Sequence, residues 1–201
     1  FNYEVYFAYG RYYLYYNEKP DYEKAVSNLL KSVELNPYSW EANMQLVQAY
    51  MRAKDFTSAI AWAERMILME KDVIGYIVAA SAYLGSGNLE KIKELYIEID
   101  KMVDTPFVKT ILVGFYIRDN DYKSAFTLAK NGLEKYPDDA FLNQVISQIY
   151  SEHFNNCKFA LYHMKLFLKN LDKIWLPPDG KKLQKEMGEK RIRELTEKCG
   201  S

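Results

Sequence analysis

DYEKAVSNLLKSVELNP, residues 21 to 37, returns a hundred residues later as DYKSAFTLAKNGLEKYP, residues 121 to 137. Asp21 and Asp121, Tyr22 and Tyr122, Ala25 and Ala125, Glu34 and Glu134, and Pro37 and Pro137 hold matching places in the two phrases. Along the rest of the chain, Tyr16, Tyr50, Tyr83, Tyr116 and Tyr150 stand 34, 33, 33 and 34 residues apart. A fixed period of this size marks a stack of repeated supersecondary units. Ala25, Ala59, Ile92 and Ala125 come nine residues after the first four tyrosines, and Ala160 ten after the fifth. Asp21, Asp55, Asn88, Asp121 and Asn155 come five residues after each. These side chains accept hydrogen bonds from the free amides of a helix start.

Apolar spacing within a unit is helical: Leu46, Ala49 and Tyr50, then Phe56, Ala59, Ile60, Ala63 and Ile67, follow steps of three and four. Polar turns such as NEKP, RAK, GSGN and RDN join the two helices of a unit. The spacing predicts paired helices at about 3–17 and 21–35, 39–53 and 56–70, 73–85 and 89–102, 106–118 and 122–135, and 139–152 and 156–172. DKIWLPPDG then breaks the pattern, and residues 180–198 read as a last, charge-rich helix whose apolar members are Leu183, Met187, Ile192 and Leu195. One helix pair buries too little apolar surface to stand alone, so neighbours must stack and the ends must be capped.

The period, the aromatic and Ala ladders, and the closing prolines together make the sequence resemble the tetratricopeptide repeat (TPR) family. The resemblance implies an all-α, right-handed superhelical solenoid of about five helix-turn-helix repeats with a C-terminal capping helix. The units run about 3–37, 38–71, 72–104, 105–138 and 139–172, making a repeat region 1–175, with linker and cap at 176–201. The sequence departs from the family pattern at Ile92, at Lys71 and Asp104 in place of the closing proline, and in the extra residue of HFNNC.

Equal numbers of basic and acidic residues, 27 each, remove the broad positive footprint of a nucleic-acid binder. No apolar run approaches the roughly 20 residues of a membrane span. The opening on Phe1 rather than Met reads as a fragment or a processed form. Cys157 and Cys199 are too few for a disulfide framework, so free thiols and a reducing compartment are expected. Localisation stays open: a cytoplasmic location is slightly favoured, against a periplasmic or membrane-anchored form if a signal or anchor has been removed.

The sequence carries no glycine-rich phosphate cradle, no zinc-protease helix motif and no serine elbow. No catalytic residue and no cofactor is expected, and the chain is read as a non-enzyme. His153, Cys157 and His163, with Glu152 nearby, hold natural zinc ligand types, yet they cross a helix turn without a clear fourth ligand, so no metal is expected.

The resemblance implies that first helices line a concave groove. Placed on that pattern, Phe7, Leu14, Met44, Gln48, Met51, Ile74, Ile77, Phe107, Thr110, Ile117, Phe141, Gln144 and Gln148 face it, together with Gly10, Ser81 and Gly114. A chaperone-binding subgroup of the family clamps a C-terminal carboxylate with Lys, Asn and Arg. Here the corresponding places read Gly, Leu, Met, Gln and Ile, so that ligand is not expected.

Tyrosines also surround the first helix, and Tyr3, Tyr6, Tyr9 and Tyr13 are candidates for an N-terminal aromatic docking surface. The expected function is a protein-interaction scaffold or adaptor holding a partner peptide or protein in the groove or on the aromatic surface. Self-association through the N-terminal helix is a further expectation. The alternatives are a peptide-sensing regulatory module and, further off, an RNA-associated helical repeat.

Overall fold

A computed structural model describes residues 2–200. Its helices are α1 (Tyr3–Arg11, continued by a π-helical turn, Tyr12–Tyr16), α2 (Tyr22–Leu35), α3 (Trp40–Arg52), α4 (Phe56–Met69), α5 (Val73–Ser86), α6 (Leu89–Met102), α7 (Pro106–Arg118), α8 (Tyr122–Lys135), α9 (Ala140–Glu152), α10 (Cys157–Leu171) and α11 (Pro178–Gly200). No strand occurs among the described residues. The chain divides into two compact units, Phe1–Val103 and Asp104–Ser201.

Local chemistry fixes where each helix begins. Asp21, Ser39, Asp55, Asp72, Asn88, Thr105, Asp121, Asp139 and Asn156 each accept a hydrogen bond from the backbone amide three residues on, so α2 to α10 all start on a side-chain cap. The twin phrases of the sequence have twin structures. Ala25 and Ala125 are both fully buried, and buried Asn43 and Asn143 donate to the carbonyls of Pro37 and Pro137 at 3.1 and 3.0 Å. Where Asp104 replaces the closing proline, its carbonyl accepts the Tyr136 hydroxyl at 2.6 Å and its carboxylate pairs with Lys109 at 3.0 Å.

The turns share a second device. Lys54, Gly87, Asn120 and Asn155 have φ of 61, 76, 59 and 48°, each one residue before a cap. This left-handed residue lets the cap's own amide reach back to a ladder tyrosine carbonyl: Asp55 to Tyr50 at 2.9 Å, Asn88 to Tyr83 at 3.1 Å, Asp121 to Tyr116 at 2.8 Å. The fifth cap is therefore Asn156, bonded to Tyr150 at 2.7 Å, and not Asn155, because the inserted residue takes the left-handed place.

The first rung also differs from the sequence reading. Asp21 donates to Tyr13 at 3.0 Å, and Tyr13 packs half-buried on the first core while Tyr16 is 67% exposed. The π-helical turn and a longer loop absorb three extra residues, so the rung is Tyr13. This register puts Gly10 against Ala25 and Leu29, where α1 and α2 approach closely.

In the first unit, Leu14, Ala25, Leu29, Val33, Ala42, Leu46 and Ala49 form one continuous core. In the second unit, one cluster joins Val113, Ala125, Ala129, Ile146 and Ile149, and another joins Ala140, Ala160, Met164, Phe167, Leu171 and Leu195. Leu195 brings α11 onto α10.

The cysteines overturn the free-thiol expectation. Cys157, the first residue of α10, and Cys199, in the last turn of α11, form a disulfide with Cα atoms 5.7 Å apart. Their distance in sequence, 42 residues, gives no sign of the pairing, which packing of α11 on α10 brings about. The presumption of a reducing compartment loses its basis.

Candidate functional site

In the first unit, the expected groove residues separate by depth. Leu14 is 1% exposed and belongs to the core, so it offers no surface to a partner. Gly10 is likewise buried. Phe7, Met44, Gln48 and Met51 are half-buried, with the Tyr15 hydroxyl donating to Gln48 Oε1 and the Arg52 guanidinium 5.4 Å from the Tyr15 ring. Ile74 and Ile77 on α5 are 51 and 42% exposed, beside exposed Ser81, and they give this unit a frankly apolar contact.

In the second unit, Phe107, the second residue of α7, is 67% exposed. Thr110 is half-buried and turns its hydroxyl back to the Pro106 carbonyl at 2.9 Å. Ile117 packs on the Val113 core and Phe141 lies against Phe167, so both act chiefly as packing residues. Gln144 and Gln148 line a cleft of 480 Å³ whose other wall is α11, through Met187, Gly188, Lys190, Arg191 and Glu194. Gln148 donates to Glu152 at 2.9 Å, and Arg191 donates to Glu152 at 3.2 Å. Charges at this wall are thus mostly paired, leaving amides and the Met187 thioether as the open chemistry.

α11 therefore supplies a wall of the second-unit cleft, which sequence reasoning missed. Periodicity alone groups its apolar residues as one set. In the structure, Gly188, Ile192 and Leu195 turn inward while Leu183 and Met187 stay 56 and 52% exposed. The inward glycine, isoleucine and leucine at four- and three-residue steps are the signal that separates the two faces.

On α1, Tyr3, Tyr6 and Tyr13 are half-buried and Tyr9 is 54% exposed. The open stripe is Val5, Tyr9, Tyr12 and Tyr16, spaced four, three and four. Counting from Gly10 and Val47, Val5, Tyr9 and Tyr12 match Ala42, Leu46 and Ala49 of α3, which are fully buried in the stack. A second feature of this unit is a cleft of 740 Å³ lined by Tyr6, Tyr22, Val26, Leu30, Lys31, Glu34 and Tyr50. Apart from Tyr6 it uses none of the expected residues.

The metal-type residues of the sequence are accounted for otherwise. His153 stacks on Tyr122 at 4.4 Å, His163 stacks on Tyr150 at 5.6 Å with Nδ1 2.8 Å from Asn143 Oδ1, and Cys157 is bonded to Cys199. Burial holds the His163 imidazole below its ordinary pKa. Among the described residues no three His, Cys, Asp or Glu side chains gather as metal ligands, and no helix is long and apolar enough to cross a membrane.

No family model matches the sequence, and no curated protein does. Solved structures do. A MamA crystal structure aligns with a TM-score of 0.66 at 16% identity, covering 88% of this chain and 98% of that one. A TPR protein of Thermus thermophilus, TTC0263, aligns with a TM-score of 0.52 at 15% identity over 92% of this chain and 98% of its own. The chain has the tetratricopeptide repeat fold. YrrB, described as a TPR protein with an unusual peptide-binding site, aligns with a TM-score of 0.60 at 12% identity, covering 82% of this chain and 84% of that one. At these identities the tetratricopeptide repeat likeness lies in the backbone and not in the side chains.

Proposed function

We propose that this chain is a non-enzymatic protein-interaction scaffold that holds a partner peptide or protein on the first-helix faces of its repeats, with units at about 3–37, 38–71, 72–104, 105–138 and 139–172. The observation that carries the reading is the exposure of Phe107, Ile74 and Ile77, large apolar side chains near the starts of first helices that keep 67, 51 and 42% of their surface in water. Contact with an apolar partner group would remove them from water, at roughly 25 cal/mol per Å². The peptide-binding site of YrrB, on a similar backbone, supports the same use. Lined by Gln144, Gln148 and Met187, the cleft in the second unit adds amides that suit an extended main chain.

The test places a photo-crosslinking residue at Ile77 or Phe107, and at Lys93 or Lys123 on second helices, in otherwise unchanged protein. Partners recovered from the first-helix sites are then measured by calorimetry against Ile74→Glu with Ile77→Glu, and against Phe107→Glu. Each buried carboxylate at the interface would cost several kcal/mol of affinity, while the exposed sites leave stability near wild type. Unchanged binding by all these variants, with loss in Lys93→Glu and Lys123→Glu, would place the partner on the second-helix side and defeat the proposal.

A further inference from the structure

α11 docks on the last helical pair with fewer fully buried large apolar side chains than α9. Leu195 is its one large apolar side chain at full burial among the described residues, with Ile192 half-buried beside it, whereas α9 sinks Leu142, Ile146 and Ile149 to 2% exposure or less. Gly188 lies where a Cβ would come within 2.6 Å of Leu168 Cδ2 and 2.9 Å of Phe167 Cε1, so backbone rather than side chain meets the α10 surface. Both polar side-chain atoms of Asn170 on α10, and Oε1 of Gln184 on α11, are buried without a hydrogen bond to protein. Polar atoms taken from bulk water with no protein partner subtract from docking rather than add to it.

Beside a contact near its start, Lys181 Nζ to the Asp172 carbonyl at 3.3 Å, three tethers hold the C-terminal half of α11 against release. Arg191 Nη2 donates to Ser151 Oγ at 2.7 Å and to Glu152 Oε1 at 3.2 Å. Lys198 Nζ donates to the Ser151 carbonyl at 3.3 Å. The third tether is the Cys157–Cys199 bond, which joins the last turn of α11 to the start of α10. The first two are polar contacts that exchange with water and weaken with salt. The covalent bond does neither, and both of its cysteines are half-buried and within reach of a small thiol.

We propose that the Cys157–Cys199 disulfide is a redox latch on α11: reduction by a dithiol releases the helix, uncovers the Phe167 and Met164 face of α10, and removes one wall of the cleft at Gln144 and Gln148. The chemistry balances on the dithiol. One of its thiolates attacks Cys199 Sγ, breaking the Cys157–Cys199 bond and forming a mixed disulfide. Cys157 leaves as a thiolate at the positive end of α10. The second thiolate of the reductant then displaces Cys199, so the dithiol departs as a cyclic disulfide and its two protons end on Cys157 and Cys199. The latch stands on the bond and the thin docking face, whether or not the cleft holds a partner.

Hydrogen exchange read by mass spectrometry tests it on the full chain, with and without dithiothreitol, beside the double variant Cys157→Ser, Cys199→Ser. In reduced wild type and in the double variant, amides of 178–200 should exchange at least tenfold faster. The Met164 and Phe167 face of α10 should become accessible to a hydrophobic dye, and 22–102 should keep its oxidised rates. Reoxidation should restore protection in wild type alone. Unchanged exchange over 178–200 after complete reduction would overturn the latch. So would alkylation of both cysteines in unreduced protein, or collapse of protection across the whole of 106–171, which would make the bond a general staple of the unit. Oxidised Leu195→Ala, weakened in its noncovalent docking, should keep 178–200 protected until dithiothreitol is added. Early loss in that variant would show that apolar contact, not the disulfide, holds the helix.

Discussion

Adding one methyl group at Gly10 and at Gly114 should move stability in opposite directions. At Gly10 an added Cβ would lie 2.5 Å from Leu29 Cγ, 2.8 Å from Leu29 Cδ2 and 3.3 Å from the Ala25 carbonyl oxygen. Ordinary carbon contacts lie at about 3.5–4.0 Å, so the overlap is about 1 Å. Leu29 is fully buried in the first core, so it yields only by displacing its neighbours. Overpacking of this kind costs about 1–3 kcal/mol, against which Gly to Ala in a helix regains about 1 kcal/mol of backbone entropy. The net expectation for Gly10→Ala is a loss of up to about 2 kcal/mol. At Gly114, on α7, nothing lies within 4 Å of the added atom, so the helix term of about 1 kcal/mol stands alone and Gly114→Ala should stabilise. In a chain of this size each kcal/mol is about 2–4 °C of melting temperature. Circular dichroism follows both units. Fluorescence of Trp40 and Trp62, with Trp175 already 87% exposed, reports mainly on the first unit. If Gly10→Ala raised the first-unit transition as Gly114→Ala raises the second, the close approach of α1 and α2 at Gly10, and with it the Tyr13 register, would be refuted.

Two further outcomes follow from caps and titrating groups. Asn156→Ala should cost about 1 kcal/mol in urea unfolding of the second unit, whereas Asn155→Gly, at φ 48°, should stay within about 0.5 kcal/mol of wild type; a reversed order would restore Asn155 as the cap. Stability should also fall toward both ends of the pH scale. Burial lowers the pKa of His163 from 6.5, so its contribution is complete above that value and is lost as pH falls toward the folded value. Lowered carboxylates extend the decline in acid: Asp21 through the Lys24 amide, Asp55 through Ser58, Asp104 through Lys135 and Asp138 through Lys173. Their share is present above the ordinary value of 3.8 and fades below it. In alkali, burial and then the hydrogen bond to Glu64 push Tyr83 up to about 12, so its share is complete below 10 and is lost as pH rises through the folded value. Urea midpoints of wild type and His163→Phe that decline identically as pH falls below 6.5 would remove His163 from this account.

Most features settled within a turn or two of chain were legible in the sequence, the fifth cap and the π-helical turn excepted. Helix existence follows from three- and four-residue apolar steps, and the caps Asp21, Asp55, Asn88 and Asp121 follow from a side chain reaching an amide three residues on. The small-residue ladder was legible for the same reason, since Ala25, Ala59 and Ala125 sit at one place in a repeated pattern and are all fully buried. Tertiary structure decided what depends on which surfaces meet. Tyr13 rather than Tyr16 became the first rung because a π-helical turn and a longer loop, invisible to spacing, together absorbed three residues. Leu14, Ile117 and Phe141 passed from groove to packing, while Ile74, Ile77 and Phe107 stayed open, because burial depends on the neighbouring helix and not on the residue's own periodic place. Cys157 and Cys199 met because α11 folds back on α10, and the same docking gave the cleft its second wall. Hydrogen bonds along one helix are written in adjacent residues, but contact between distant segments depends on the summed packing of everything between them.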